Sequence, residues 1–124
     1  MESKKSILIV EDDDFLRSLV DRRLTGDGYE VLIAKDGNSG FEMALKKIPK
    51  VILLDLLLPG VSGYEVLEKI RAKEETKDIP IIIFSNLGQK EDVKKAMQLG
   101  ANDFLIKANF TLDDLVEKIK VYFV

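Results

Sequence analysis

Five short apolar runs recur along the chain: Ile7–Val10, Val31–Ala34, Val51–Leu54, Ile81–Phe84 and Phe104–Ile106. Amphipathic stretches follow them. This alternation limits the fold more than any other feature, because strands that alternate with helices build parallel sheets through βαβ units. Three of the runs are continuous Val, Ile, Leu and Phe rather than alternating apolar and polar. That pattern suits strands buried on both faces.

The intervening stretches carry apolar residues at helical spacing. The expected core faces are Phe15, Leu16, Leu19, Val20 and Leu24; Phe41, Ala44, Leu45 and Ile48; Val66, Leu67 and Ile70; Val93, Ala96 and Met97; and Leu112, Leu115, Val116, Ile119, Tyr122 and Phe123. Ser62 and Glu65 form a capping-box pattern, Gly28 and Gly100 stand where helices should stop, and Pro59-Gly60 marks a turn. The expected architecture is α/β: a (βα)5 doubly wound five-stranded parallel sheet of order 2-1-3-4-5, the flavodoxin-like arrangement, as one domain over residues 1–124.

Composition narrows the chemistry. With 124 residues, 46% of them hydrophobic, the chain can bury a sizeable core. A net charge of −3 gives no drive toward nucleic acid or anionic membrane. The chain has no cysteine and no histidine, so catalysis must rest on carboxylates, hydroxyls, lysine or a hard metal. Met1–Ser6 is polar, unlike a signal peptide, and no apolar run approaches membrane-spanning length, so a cytoplasmic protein is expected.

In sheets of this kind ligands bind beyond the carboxyl ends of the strands, where strand order reverses. Glu11, Asp12, Asp13 and Asp14 follow the first run, and Asp55 ends the third. With strands one and three adjacent, Glu11, Asp12 and Asp55 converge at one edge. Clustered carboxylates repel each other, and a hard divalent cation such as Mg2+ relieves the repulsion. Asp13 and Asp14 read instead as caps of the first helix. Ser85 and Lys107 end the fourth and fifth runs. A hydroxyl there suits a phosphoryl oxygen, and an ammonium suits added phosphate charge.

The stretches Ile7-Leu8-Ile9-Val10-Glu11-Asp12-Asp13, Leu54-Asp55-Leu56-Leu57-Leu58-Pro59-Gly60-Val61-Ser62-Gly63, Ile83-Phe84-Ser85 and Gly100-Ala101-Asn102-Asp103-Phe104-Leu105-Ile106-Lys107 occur in order. Together they resemble the receiver domain of bacterial two-component response regulators, in its single-domain, chemotaxis-regulator-like form. The resemblance implies that Asp55 is the phosphorylated carboxylate, which takes its phosphoryl group from a sensor histidine kinase or phosphotransfer protein, and that the domain supports its own phosphorylation and dephosphorylation. It implies Mg2+, with Mn2+ as a substitute, held by Asp12, Asp55 and the Leu57 backbone carbonyl, and by Glu11 through water. It makes Ser85 and Phe104 switch residues, Lys107 the phosphoryl's partner, and the face of the fourth helix, fifth strand and fifth helix the output surface.

Some positions depart from the family pattern. Glu11 stands where Asp is commoner, Ser85 where Thr is frequent, Phe104 where some members have Tyr, and Asn86 where a small residue is usual. Ala108 replaces a proline whose peptide bond is generally cis in the family. A cis bond without proline costs about 2.5–4 kcal/mol, so this bond is either strained or trans.

Two other classes of function compete, enzymes and a degenerate receiver. A nucleotide-binding enzyme would need a Gly-, Ser- or Thr-rich phosphate loop after the first strand, where this chain has four acids. A hydrolase with two Asp residues one apart would need an acid at Leu57. A degenerate receiver, binding partners without phosphorylation, is the alternative within the family. With no DNA-binding region after residue 124, output is expected through protein surfaces.

Overall fold

The apolar runs form the strands in the computed structural model, which describes residues 5–123. Met1–Lys4 of the polar N-terminal stretch, and Val124, lie outside the described residues. The elements run Ser6–Val10 (β1), Asp14–Gly26 (α1), Glu30–Ala34 (β2), Gly37–Lys47 (α2), Val51–Leu54 (β3), Gly63–Ala72 (α3), Ile81–Ser85 (β4), Lys90–Gln98 (α4), Asp103–Ile106 (β5) and Leu112–Lys120 (α5). All strands pair in parallel, in the order β2-β1-β3-β4-β5. The fold is the expected doubly wound α/β sheet.

Register positions the site. Val10 lies opposite Leu54, so the next residues, Glu11 and Asp55, emerge side by side. Their backbones stay tied to the sheet: Asp55 N donates to Val10 O at 3.1 Å, and Glu11 N donates to Ala34 O at 3.0 Å. β1, β3 and β4 are buried throughout, whereas β2 and β5 form the half-covered edges. Alternate strand residues feed two cores. Leu8, Val10, Ile52, Leu54, Ile81 and Ile83 pack with Ala44, Val66, Leu67, Ile70 and Ala96 from α2, α3 and α4. Ile7, Ile9, Val51, Leu53, Ile82 and Phe84 pack on the other face with Val20 and Leu24 of α1 and Leu115, Val116 and Ile119 of α5.

The caps act locally. Asp13 accepts from Leu16 N at 2.9 Å, Ser62 from Glu65 N at 3.3 Å, and Gly28 and Gly100 take left-handed φ of 96° and 106° at helix ends. Asp14 is the first residue of α1 rather than its cap, and its carboxylate pairs with Arg17.

Four expected core residues face solvent. Phe15 is 78% exposed and Leu19 lies at the surface, while α1 buries Arg17, Val20 and Leu24. The expected stripe spans a wider arc than the sheet can cover, and hydrogen bonds draw Arg17 inward from its edge. Ile48 is exposed because α2 ends there. It takes φ 45° as the left-handed cap of that helix, its N–H donating to the Ala44 carbonyl at 3.0 Å. Met97 is exposed because α4 buries only Ala96 fully.

Candidate active site

Three strand ends supply the centre. Glu11 and Asp55 are buried and Asp12 is exposed, and one carboxylate oxygen from each lies within 4.8 Å of the others. Lys107 reaches them from the end of β5. Its Nζ donates to Asp55 Oδ2 at 2.7 Å and lies 2.6 Å from Glu11 Oε1. The ammonium also sits 5.6 Å from the Phe84 ring centroid, and Phe110 packs edge-on against that ring at 4.8 Å. Asp55 Oδ1 accepts from Leu57 N at 3.1 Å, and Glu11 Oε2 accepts from Asp13 N at 3.0 Å.

Burial raises the Glu11 pKa above the usual carboxylate range and the Asp55 charge adds to this, while Lys107 and the Asp13 N–H oppose it. Burial alone would lower the Lys107 pKa, but its hydrogen bonds and charge interactions with Asp55 and Glu11 outweigh that and raise it. Lys107 is therefore a cation, paired with two of three clustered carboxylates. One ammonium, 2.6 Å from Glu11 Oε1 and 2.7 Å from Asp55 Oδ2, cannot neutralise all three carboxylates of the cluster. Three clustered carboxylates with surplus negative charge fit a hard divalent cation.

Ser85 ends β4 fully buried, and its Oγ accepts from Leu87 N at 3.3 Å. Phe104 is partly buried against the α2–α3–α4 core. Leu57 is exposed two residues beyond Asp55, and Asn86 is exposed beyond Ser85. No peptide bond is cis among the described residues. The Lys107–Ala108 bond is therefore trans, inside a 3-10 turn over Lys107–Asn109, and Lys107 still reaches Asp55. Among the described residues, no helix is long and apolar enough to cross a membrane.

The sequence pattern of the response regulator receiver domain matches residues 7–120. The chain belongs to that family. It is 37% identical to the DNA-binding dual master transcriptional regulator RpaA of Synechocystis over 92% of this chain and 47% of RpaA. The solved CheY-like receiver domain protein of Methanospirillum hungatei superposes with a TM-score of 0.89 at 30% identity, covering 96% of this chain and 93% of that one. The receiver domain of the sensor histidine kinase PA1611 of Pseudomonas aeruginosa has a magnesium ion coordinated in its active-site cleft. It superposes with a TM-score of 0.88 at 29% identity, over 97% of this chain and 98% of that one. The chain spans about half the length, or less, of the curated relatives it matches.

Two residues without an expected role shape the site of this receiver. Arg17 is buried and donates from Nη1 to the Glu11 carbonyl at 3.0 Å. An Arg among apolar helix positions carries no signal of that contact. A Cβ on Gly63 would sit 2.1 Å from Asp55 O and 2.5 Å from Leu56 Cα, so α3 starts against the backbone of the acid itself. The S-x-x-E cap places a helix start at Gly63, but the close approach exists only in three dimensions.

Proposed function

We propose that this receiver, as a domain over residues 1–124, accepts a phosphoryl group on Asp55 from a phosphohistidine. The donor is a sensor histidine kinase or phosphotransfer protein. The observation that carries this reading is Lys107 Nζ lying 2.7 Å from Asp55 Oδ2 at the edge shared by Glu11 and Asp12. The Leu57 N–H and Lys107 hold the two Asp55 oxygens, which orients the carboxylate. An Asp55 oxygen attacks phosphorus, the bond from phosphorus to the donor nitrogen breaks, and the imidazole keeps that electron pair. Lys107 then turns toward the phosphoryl oxygens, and the Ser85 hydroxyl donates to one of them. Glu11, Asp12, Asp55 and the Leu57 carbonyl are the residues that would hold Mg2+, or Mn2+ in its place. The ion supplies charge neutralisation at the phosphoryl oxygens when bound. Water hydrolyses the acyl phosphate at the same site.

The output runs through α4, β5 and α5 to a downstream protein, without direct contact to nucleic acid or membrane, in the cytoplasm. Light anchoring of α4 supports this. Beyond Ala96, it is held by Tyr64 of α3, whose hydroxyl donates to Asp92 at 3.2 Å and whose ring lies 4.2 Å from Lys95 Nζ. Movement of Ser85 toward the phosphoryl group would open space for the partly buried Phe104 to turn inward. Acetyl phosphate with Mg2+ should add one phosphoryl mass to the intact chain, and Asp55→Asn should abolish it. Equal phosphorylation of that variant would refute the assignment.

A further inference from the structure

Arg17 is a buried charged side chain, 8% exposed on the first helix. Its guanidinium spends its donors on the acidic loop. Nη1 donates to the Glu11 carbonyl six residues back, at 3.0 Å, and Nη2 pairs with Asp14. Burying a guanidinium is costly unless its hydrogen bonds offset the loss of water, so this contact is maintained against a penalty. The bonded carbonyl belongs to the peptide linking Glu11 to Asp12. Pinning that peptide sets ψ of Glu11 and φ of Asp12 together. These torsions decide where both side chains leave the backbone.

The two acids differ in what else holds them. The Glu11 carboxylate has the Asp13 N–H and Lys107. Among the described residues, no hydrogen bond holds the Asp12 carboxylate, which is exposed yet has an oxygen within 4.8 Å of those of Glu11 and Asp55. Its direction therefore depends on its backbone, and Arg17 is the side chain that fixes that backbone from outside the strand ladder.

We propose that Arg17 is a positioning residue that preorganises Glu11 and Asp12 for a divalent cation. This inference rests on the metal reading given above. A charge effect and a positioning effect have opposite signs. As a positive charge near the acids, Arg17 by itself opposes a cation, so its removal would tighten Mg2+ binding. As a positioning group its removal weakens binding, on the scale of about 10-fold seen when an outer partner of a metal ligand is lost.

Magnesium titrations of the full chain, followed by amide NMR shifts, separate these. Arg17→Met keeps the stem and removes the donors. Arg17→Lys keeps the charge and one donor group, which can serve the carbonyl but not the two-armed contact. The expected order of affinity is the unsubstituted chain, then Arg17→Lys, then Arg17→Met. The half-saturating Mg2+ for phosphorylation should rise in parallel, while the rate at saturating Mg2+ stays within about twofold. Unchanged or tighter binding by folded Arg17→Met would overturn the proposal. If that variant does not fold, Arg17→Lys binding as tightly as the unsubstituted chain overturns it equally. No Mg2+ binding by the unsubstituted chain would refute the metal reading itself, and this inference with it.

Discussion

Lys107 Nζ donates to Asp55 Oδ2 across the end of β4, because β3 and β5 are not neighbours in the sheet. The lysine must span a whole strand, and the trans 3-10 turn at Lys107–Asn109 aims it along the Phe84 ring. Removing it leaves Asp55 and Glu11 buried together without their cation. Losing a partner to a buried polar group costs about 1–3 kcal/mol, so Lys107→Met should lower metal-free stability by that order in urea denaturation. Saturating Mg2+ should restore part of the loss. A variant as stable as the unsubstituted chain without metal would show that the contact has no energetic weight.

Asp12 is the exposed member of the trio, so its removal relieves repulsion without opening a cavity. Asp12→Ala should leave metal-free melting unchanged or raise it. The unsubstituted chain should gain about 2.7 kcal/mol at a hundredfold excess of Mg2+ over Kd, and the variant should gain little. Thermal melts with and without Mg2+ measure both quantities.

Gly63→Ala tests the close approach of α3 to the acid. The added Cβ meets backbone atoms of Asp55 and Leu56, which cannot rotate aside as a side chain could. Overpacking of this kind costs about 1–3 kcal/mol and sometimes more. The shift required of the Asp55 backbone should also slow phosphorylation by acetyl phosphate, measured under conditions where the variant is folded.

The acid limb of stability should depend partly on Asp36, which caps α2 by accepting from Ser39 N at 2.8 Å. That backbone hydrogen bond, with a second from the Ser39 hydroxyl, lowers its pKa below the ordinary 3.8. A depressed carboxyl contributes stability that is full above its unfolded pKa and is lost as pH falls through its folded pKa. Asp36→Asn keeps a cap without the titration. Its melting temperature should therefore match the unsubstituted chain near neutrality and fall less steeply below about pH 4.

Beryllofluoride, a phosphoryl mimic, should shift amide resonances well beyond Asp55. If the output face responds as proposed, Lys90–Gly100 and Phe104 move together with Ser85, because α4 is held chiefly by Ala96 and the Tyr64 contacts. Shifts confined to the neighbours of Asp55 would exclude that route.

The strand and helix alternation, the helix caps at Asp13 and Ser62, and the turn glycines were legible in the sequence because each rests on local rules: side-chain period, short-range hydrogen bonds and permitted φ. The candidate site was legible too, since a parallel doubly wound sheet puts its strand ends together and Glu11, Asp12, Asp55, Ser85 and Lys107 stand at those ends. The tertiary structure alone decided the rest. It chose which arc of α1 faces the sheet, burying Arg17 and leaving Phe15 and Leu19 outside. Apolar periodicity names a stripe but does not rank its edges, and a guanidinium can join the interior once a carbonyl is in reach. It set Gly63 against the Asp55 backbone and let Lys107 bridge Asp55 and Glu11. The lysine contacts link residues far apart in the chain at ångström distances, and only the packing of strands and helices against one another supplies these contacts and the close approaches.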